Sequence, residues 1–174
     1  MKKLAFIIFI TFSVCAFAQK PVKSKNLQLK YTLTDNWSAE EFGGLTPWED
    51  AGNNLCKCAG ISFTKPHKDG KMHVVVYPST RSGLDSAKRE FVGNLHFENV
   101  EKYDKITNKH FSFEKRKSNF TDTNTKSKSY DAIRYQAKHE DHFYIIYVWQ
   151  ESMNMLNSTN ERELVAMVNA IEPL

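Results

Sequence analysis

What this sequence lacks first is recognisable catalytic machinery. It has no G-x-S-x-G elbow and no S-x-x-K, so no serine nucleophile announces itself. It has no phosphate loop and no dinucleotide fingerprint, so nothing points to nucleotide chemistry. Asp and Glu are spread along the chain without a pairing that suggests acid–base work. The expectation is a protein that is not an enzyme and carries no cofactor. Cysteine is also scarce, with three in 174 residues. Charge of one sign is barely in excess: 24 Lys and Arg against 20 Asp and Glu give +4. Such a balance argues against nucleic acid as a partner and against strong adhesion to a membrane. No internal repeat and no linker-like change of composition divides the chain.

One long apolar run is present, and it lies at the start. Met1-Lys-Lys is a short positive region, Leu4 to Val14 is uncharged and apolar, and Ala16-Phe-Ala18 fits a small-x-small cleavage site. This is the pattern of a bacterial secretory signal peptide over residues 1–18. The run is shorter than the roughly 20 residues a membrane span needs, and Phe12-Ser-Val ahead of Cys15 departs from the lipoprotein pattern. Removing these 18 of the 174 residues leaves 156, from Gln19 to Leu174, enough for one domain with a real core. Two lysines leave with the leader, so the net charge falls from +4 to +2. The expected address is exported, periplasmic or extracellular, with no stable membrane insertion after cleavage.

Cys56 and Cys58 remain, one residue apart. Export favours an oxidised pair. A disulfide across C-x-C closes a very small ring and is readily reduced. The same two thiols suit a soft metal or a redox role, although zinc would need two more ligands. His139-Glu-Asp-His142 gathers two imidazoles and two carboxylates, but on a turn they need not converge.

The chain is organised around Tyr130–Leu174. Tyr144-Ile-Ile-Tyr-Val-Trp149 is apolar on both faces at period two, which describes a central strand. Ile133–Ala137 alternates and should pair with it across Glu140 and Asp141. Asn157-Ser-Thr-Asn160 then opens a helix, with capping-box spacing at Ser158 and Glu161 and, more loosely, at Asn160 and Glu163. Leu164, Val165, Val168 and Ile171 form its apolar stripe, and Pro173 follows.

Upstream, Leu27, Leu29, Tyr31 and Leu33 alternate as a first strand, Asp35-Asn36 turns, and Trp37 follows. Residues 38–57 read as an irregular loop. Ala59, Ile61 and Phe63 begin a strand, Lys68-Asp-Gly-Lys71 a hairpin turn, and Met72–Tyr77 a strand that Pro78 ends. Ser82–His96 reads as a helix with Leu84, Ala87, Phe91, Val92 and Leu95 on one side. One or two strands occupy Val100–Glu114, and residues 115–129 read as a polar exposed loop. Strands in hairpins and single helices make an α+β fold: a mainly antiparallel sheet flanked by two helices.

Three stretches of this plan resemble the PsbP-like family, which includes small exported bacterial proteins. They are Leu33-Thr-Asp-Asn-Trp37, the Met72–Tyr77 strand with the helix after it, and the Tyr130–Trp149 hairpin with its closing helix before Pro173. The resemblance implies an α/β/α sandwich over residues 19–174 that acts by docking on a partner, with no shared catalytic residues. The segment holding Cys56 and Cys58 departs from the family pattern.

The candidate partner or ligand surface comprises Trp37 and Trp48, large aromatics bordering the irregular segment, and the basic run Lys115-Arg116-Lys117. Aromatics dominate contact energy, and the basic run suits an acidic partner surface. Trp37, Trp48, Tyr144 and Trp149 serve equally well as core. The expected function is an exported accessory protein, immunity-factor-like or assembly-factor-like, that acts as a monomer on a protein partner. The alternative is a small-ligand or soft-metal carrier built on the Cys56/Cys58 loop.

Overall fold

The computed structural model describes residues 20–34, 36–44, 59–68, 70–79, 91–98, 104–125, 128–152 and 156–174. The leader, Asp35, Trp48, Cys56, Cys58 and the start of the expected second helix at Ser82 lie outside the described residues.

The strands are β1 (Val22–Ser24), β2 (Leu29–Tyr31), β3 (Ser38–Phe42), β4 (Gly60–His67), β5 (Gly70–Ser79), β6 (Phe91–Val92), β7 (Leu95–Phe97), β8 (Asp104–Thr107), β9 (Ser112–Asp122), β10 (Ser129–His139), β11 (His142–Gln150) and β12 (Ile171–Pro173). The helix Ser158–Asn169 precedes β12. Nine strands form one sheet in the order β3-β4-β5-β11-β10-β9-β7-β6, with β8 also on β9. Three form a second sheet in the order β1-β2-β12. Every pairing is antiparallel.

The run of residues 143–149 became the centre of the large sheet because both its faces are apolar. β11 pairs with β10 on one edge and with β5 on the other. The hairpin turns at Glu140 and Asp141, with Glu140 at φ 50 and His139 opposite His142. Tyr144, Ile146 and Val148 join Phe63, Val74, Ile133 and Tyr135 on one face, where the helix packs with Leu164, Met167 and Val168. Ile145, Tyr147 and Trp149 join Val75, Tyr77, Phe97 and Phe120 on the other. Each such side chain, fully buried, contributes about 1.5–3 kcal/mol.

The helix starts one residue earlier than the Ser158–Glu161 spacing indicates. Asn157 is the cap, its side-chain oxygen accepting from the N–H groups of Thr159 and Asn160 at 3.0 and 2.9 Å. Asn and Ser cap equally well, so the residue types alone do not choose between them.

Several expectations are corrected. Among the described residues there is one helix, and they are richer in strand than the α/β/α plan; residues 82–90 of the expected second helix lie outside the described residues. Phe91, Val92 and Leu95, read as a helical stripe, lie in the β6–β7 hairpin. Gly93 at φ 56 supplies its turn, a conformation glycine adopts without strain. Residues 38–42, read as irregular, form β3 on the edge of β4. Most of residues 115–129, read as a polar loop, belongs to β9 and β10, joined by a turn in which Asp122 accepts from the N–H groups of Asn124 and Thr125. β9 tolerates polar side chains because its outer edge is covered only at its two ends, by β8 and β7. Finally, β5 runs through Pro78 to Ser79. Leu27 sits in a turn rather than a strand, its carbonyl accepting from the Tyr144 hydroxyl at 3.0 Å.

Candidate functional site

The structure separates the residues that the sequence placed together. Trp37 is 7% exposed and belongs to the main core, so its ring is not an open contact surface. Lys115 and Lys117 lie on the helix-bearing face with Phe113. There they meet Glu161 of the helix's first turn, Lys115 Nζ at 3.3 Å and Lys117 Nζ at 2.7 Å from Oε1. Arg116, between them, points to the opposite face because side chains alternate along a strand. In register it stands across from Arg134, which is buried with its guanidinium carbon 5.9 Å from the centre of the Tyr147 ring.

The electrostatics of this corner are those of a scaffold. Burial alone would raise the Glu161 carboxyl, but the hydrogen bonds and charges of Lys117 and Lys115 outweigh it, and its pKa is lowered. Burial, and then Glu161, push the Tyr135 phenol well above its ordinary range, and burial does the same to Tyr144. Both phenols stay neutral and serve as packing and, for Tyr144, as a hydrogen-bond donor.

At the hairpin turn, His139 Nδ1 lies 3.0 Å from the carbonyl oxygen of His110, so that nitrogen donates. Its ring also meets Phe111 edge-on. Among the described residues, no group of three His, Cys, Asp or Glu is arranged to hold a metal ion.

Three features escaped the sequence. His73 stacks flat on Trp149, ring centres 4.5 Å apart at 9°, and its Nε2 lies 2.7 Å from the Glu151 carboxylate. Burial and, more weakly, Lys71 lower the His73 pKa against the opposing effect of Glu151. The register that sets Trp149 opposite His73 assembles this group, and no local motif signals it. A polar relay also runs from Asn160 of the helix, which donates to Gln150 at 2.6 Å, to His67, 3.1 Å from the Gln150 amide nitrogen.

The third missed feature is the edge at β8. All four of its residues are exposed, and Ile106 is 41% exposed. Among the described residues the other exposed large hydrophobics, Val22 and Leu174, lie outside the large sheet. In an antiparallel ladder, opposed residues alternate between pairs that exchange both hydrogen bonds and pairs that exchange none. The Asn108 N–H donates to the Phe111 carbonyl at 3.0 Å. The ladder then steps through Thr107–Ser112, Ile106–Phe113, Lys105–Glu114 and Asp104–Lys115. Ile106 and Asp104 therefore bond inward to β9. The N–H and C=O groups of Lys105 and Thr107 point away from the sheet.

No family model matches the chain, and no curated protein matches it. Among solved structures, it is similar to the solution structure of cyanobacterial PsbP (CyanoP) from Synechocystis sp. PCC 6803. The likeness has a TM-score of 0.50 at 7% identity and covers 89% of this chain and 92% of that one. It shows a PsbP-like fold. No helix among the described residues is long and apolar enough to cross a membrane.

Proposed function

We propose that this chain is an exported, non-enzymatic accessory protein that docks on a protein partner in the cell envelope, as immunity and assembly factors do. The observation that carries the reading is the exposed edge at β8, where a large sheet presents an aliphatic side chain and backbone hydrogen-bonding groups to solvent. A strand edge of this kind is a template for a partner's chain. Three further points support it. The leader pattern at Met1–Ala18 favours export, the fold is PsbP-like, and the residues with the most chemical promise are bound into the scaffold. Lys115 and Lys117 are held by Glu161, and His139 by the His110 carbonyl.

The test is capture of envelope proteins by the tagged mature chain under non-reducing conditions, with metal analysis of the purified bait. A stoichiometric protein partner without metal supports docking. A bound metal or chromophore, lost when Cys56 and Cys58 become Ser, would instead make the protein a carrier.

A further inference from the structure

Resting on the docking reading, we infer that β8 accepts an extended segment of the partner as an added antiparallel strand, and that its own residues specify that segment's sequence pattern. Four observations combine. The outward backbone groups belong to Lys105 and Thr107, giving two donors and two acceptors in line. Ile106 and Asp104 lie on the helix-bearing face, in register with Phe113 and Lys115, while Lys105 and Thr107 lie on the other with Glu114 and Ser112. Ile106 is the apolar contact point at the centre. Among the described residues, Lys105 is in no ion pair, so its charge is available to an incoming carboxylate.

Residues directly opposite across an antiparallel pair share a face and touch. An incoming strand, read from its N-terminus, therefore meets Thr107, Ile106, Lys105 and Asp104 in turn. The complementary pattern is a β-branched polar residue, an aliphatic one, a carboxylate and a cation. A lysine in the middle of an exposed edge deters pairing by strands that place an apolar or cationic group against it. The same charge selects the strand that places a carboxylate there. A second copy of this chain does not fit as well. The two-fold pairing centred on Ile106 stacks that residue on itself but sets Lys105 against Thr107 and Asp104 against Asn108, leaving both charges without a counter-charge, and the pairing centred on Lys105 sets that cation against itself.

The probe is a soluble peptide with Thr-Val-Glu-Lys at its centre, titrated into the whole mature protein and followed by amide NMR shifts. Binding should perturb the Lys105 and Thr107 amides and protect them from exchange. N-methylating the peptide's Thr and Glu should abolish binding, whereas N-methylating its Val and Lys should not, because only the first two face β8. Thr107→Pro removes one outward N–H at an edge position where proline is tolerated and should weaken binding about tenfold. Lys105→Glu should weaken it about two- to fivefold and recover it for a peptide with Lys in place of Glu.

Equal binding of a scrambled peptide, or shifts centred elsewhere, would overturn the inference. So would concentration-dependent protection of Lys105 and Thr107 without peptide, which would assign the edge to a second copy. An envelope partner retained equally by wild type and Thr107→Pro would sink this edge and leave docking intact. Loss of any envelope partner alongside peptide binding would count against docking alone.

Discussion

β11 and β8 are strands of one sheet, paired by the same kind of ladder, and their surroundings are opposite. Tyr144 to Gln150 of β11 are all buried, whereas Asp104 to Thr107 of β8 are all exposed. β11 is bonded on both edges and covered on both faces. Among the described residues, β8 is bonded on one edge only. Hydrogen bonding is common to both, so it does not explain the difference. Stability in this molecule resides in the faces of its central strands, and capacity for contact in the free edge of a peripheral one.

That contrast is sharpest at Tyr147, which is fully buried among Phe97, Phe120 and Tyr77. Tyr147→Ala should cost about 3–5 kcal/mol by urea unfolding. A cost below about 1 kcal/mol would end the claim that β11 is the structural centre. Gly70 tests the start of the neighbouring strand, β5, where it meets the residue that follows β11. At φ 136 it lies against the backbone of Glu151, and an added Cβ would run into that residue's carbonyl. Gly70→Ala should cost at least about 2 kcal/mol in the same assay. Tyr144→Phe removes the donor to the Leu27 carbonyl and should cost about 1–1.5 kcal/mol.

On the β8–β9 side the effects should shrink. Glu161 has a lowered pKa in the folded state, so its contribution is present above the ordinary carboxylate range and is lost as pH falls through the lowered value. Glu161→Gln should therefore cost no more than about 1 kcal/mol at neutral pH, given its partial exposure, and nothing once the wild-type carboxyl is protonated. Paired urea titrations at neutral and acidic pH would show whether the gap closes. Ile106→Ala should shift stability by less than about 0.5 kcal/mol. A larger loss would mean that β8 is as structural as β11, and the comparison would fail.

The same contrast explains what could be read from the sequence. β11, its hairpin turn and the final helix were legible because each has apolar faces at its own period, with the turn or cap in place. β9 was hidden because Lys115 to Asn119 offers no apolar alternation, and the pairing with β10 that makes it a strand lies far off in the chain. Phe91, Val92 and Leu95 fit a helical stripe, while the competing signal, Gly93-Asn94, is only two residues long. The candidate surface misled for a geometric reason. Lys115, Arg116 and Lys117 are neighbours in sequence, and the pleat sends the middle one to the other face. His73 shows the converse, being distant in sequence from Trp149 and Glu151 and joined to them by register.

β12 carries a consequence for how the molecule is made. Ile171 to Pro173 pair with Tyr31 to Leu29, and the Leu174 N–H donates to the Gln28 carbonyl. One side of β2 thus stays open until Ile171–Pro173, far along the sequence, have folded back onto it. A chain synthesised only as far as the helix presents an incomplete small sheet and a loosely held Leu29 and Tyr31. Closure of the small sheet is therefore a late, long-range event: Leu29 and Tyr31 gain their second neighbour only once Ile171–Pro173 have been made and have folded back onto them.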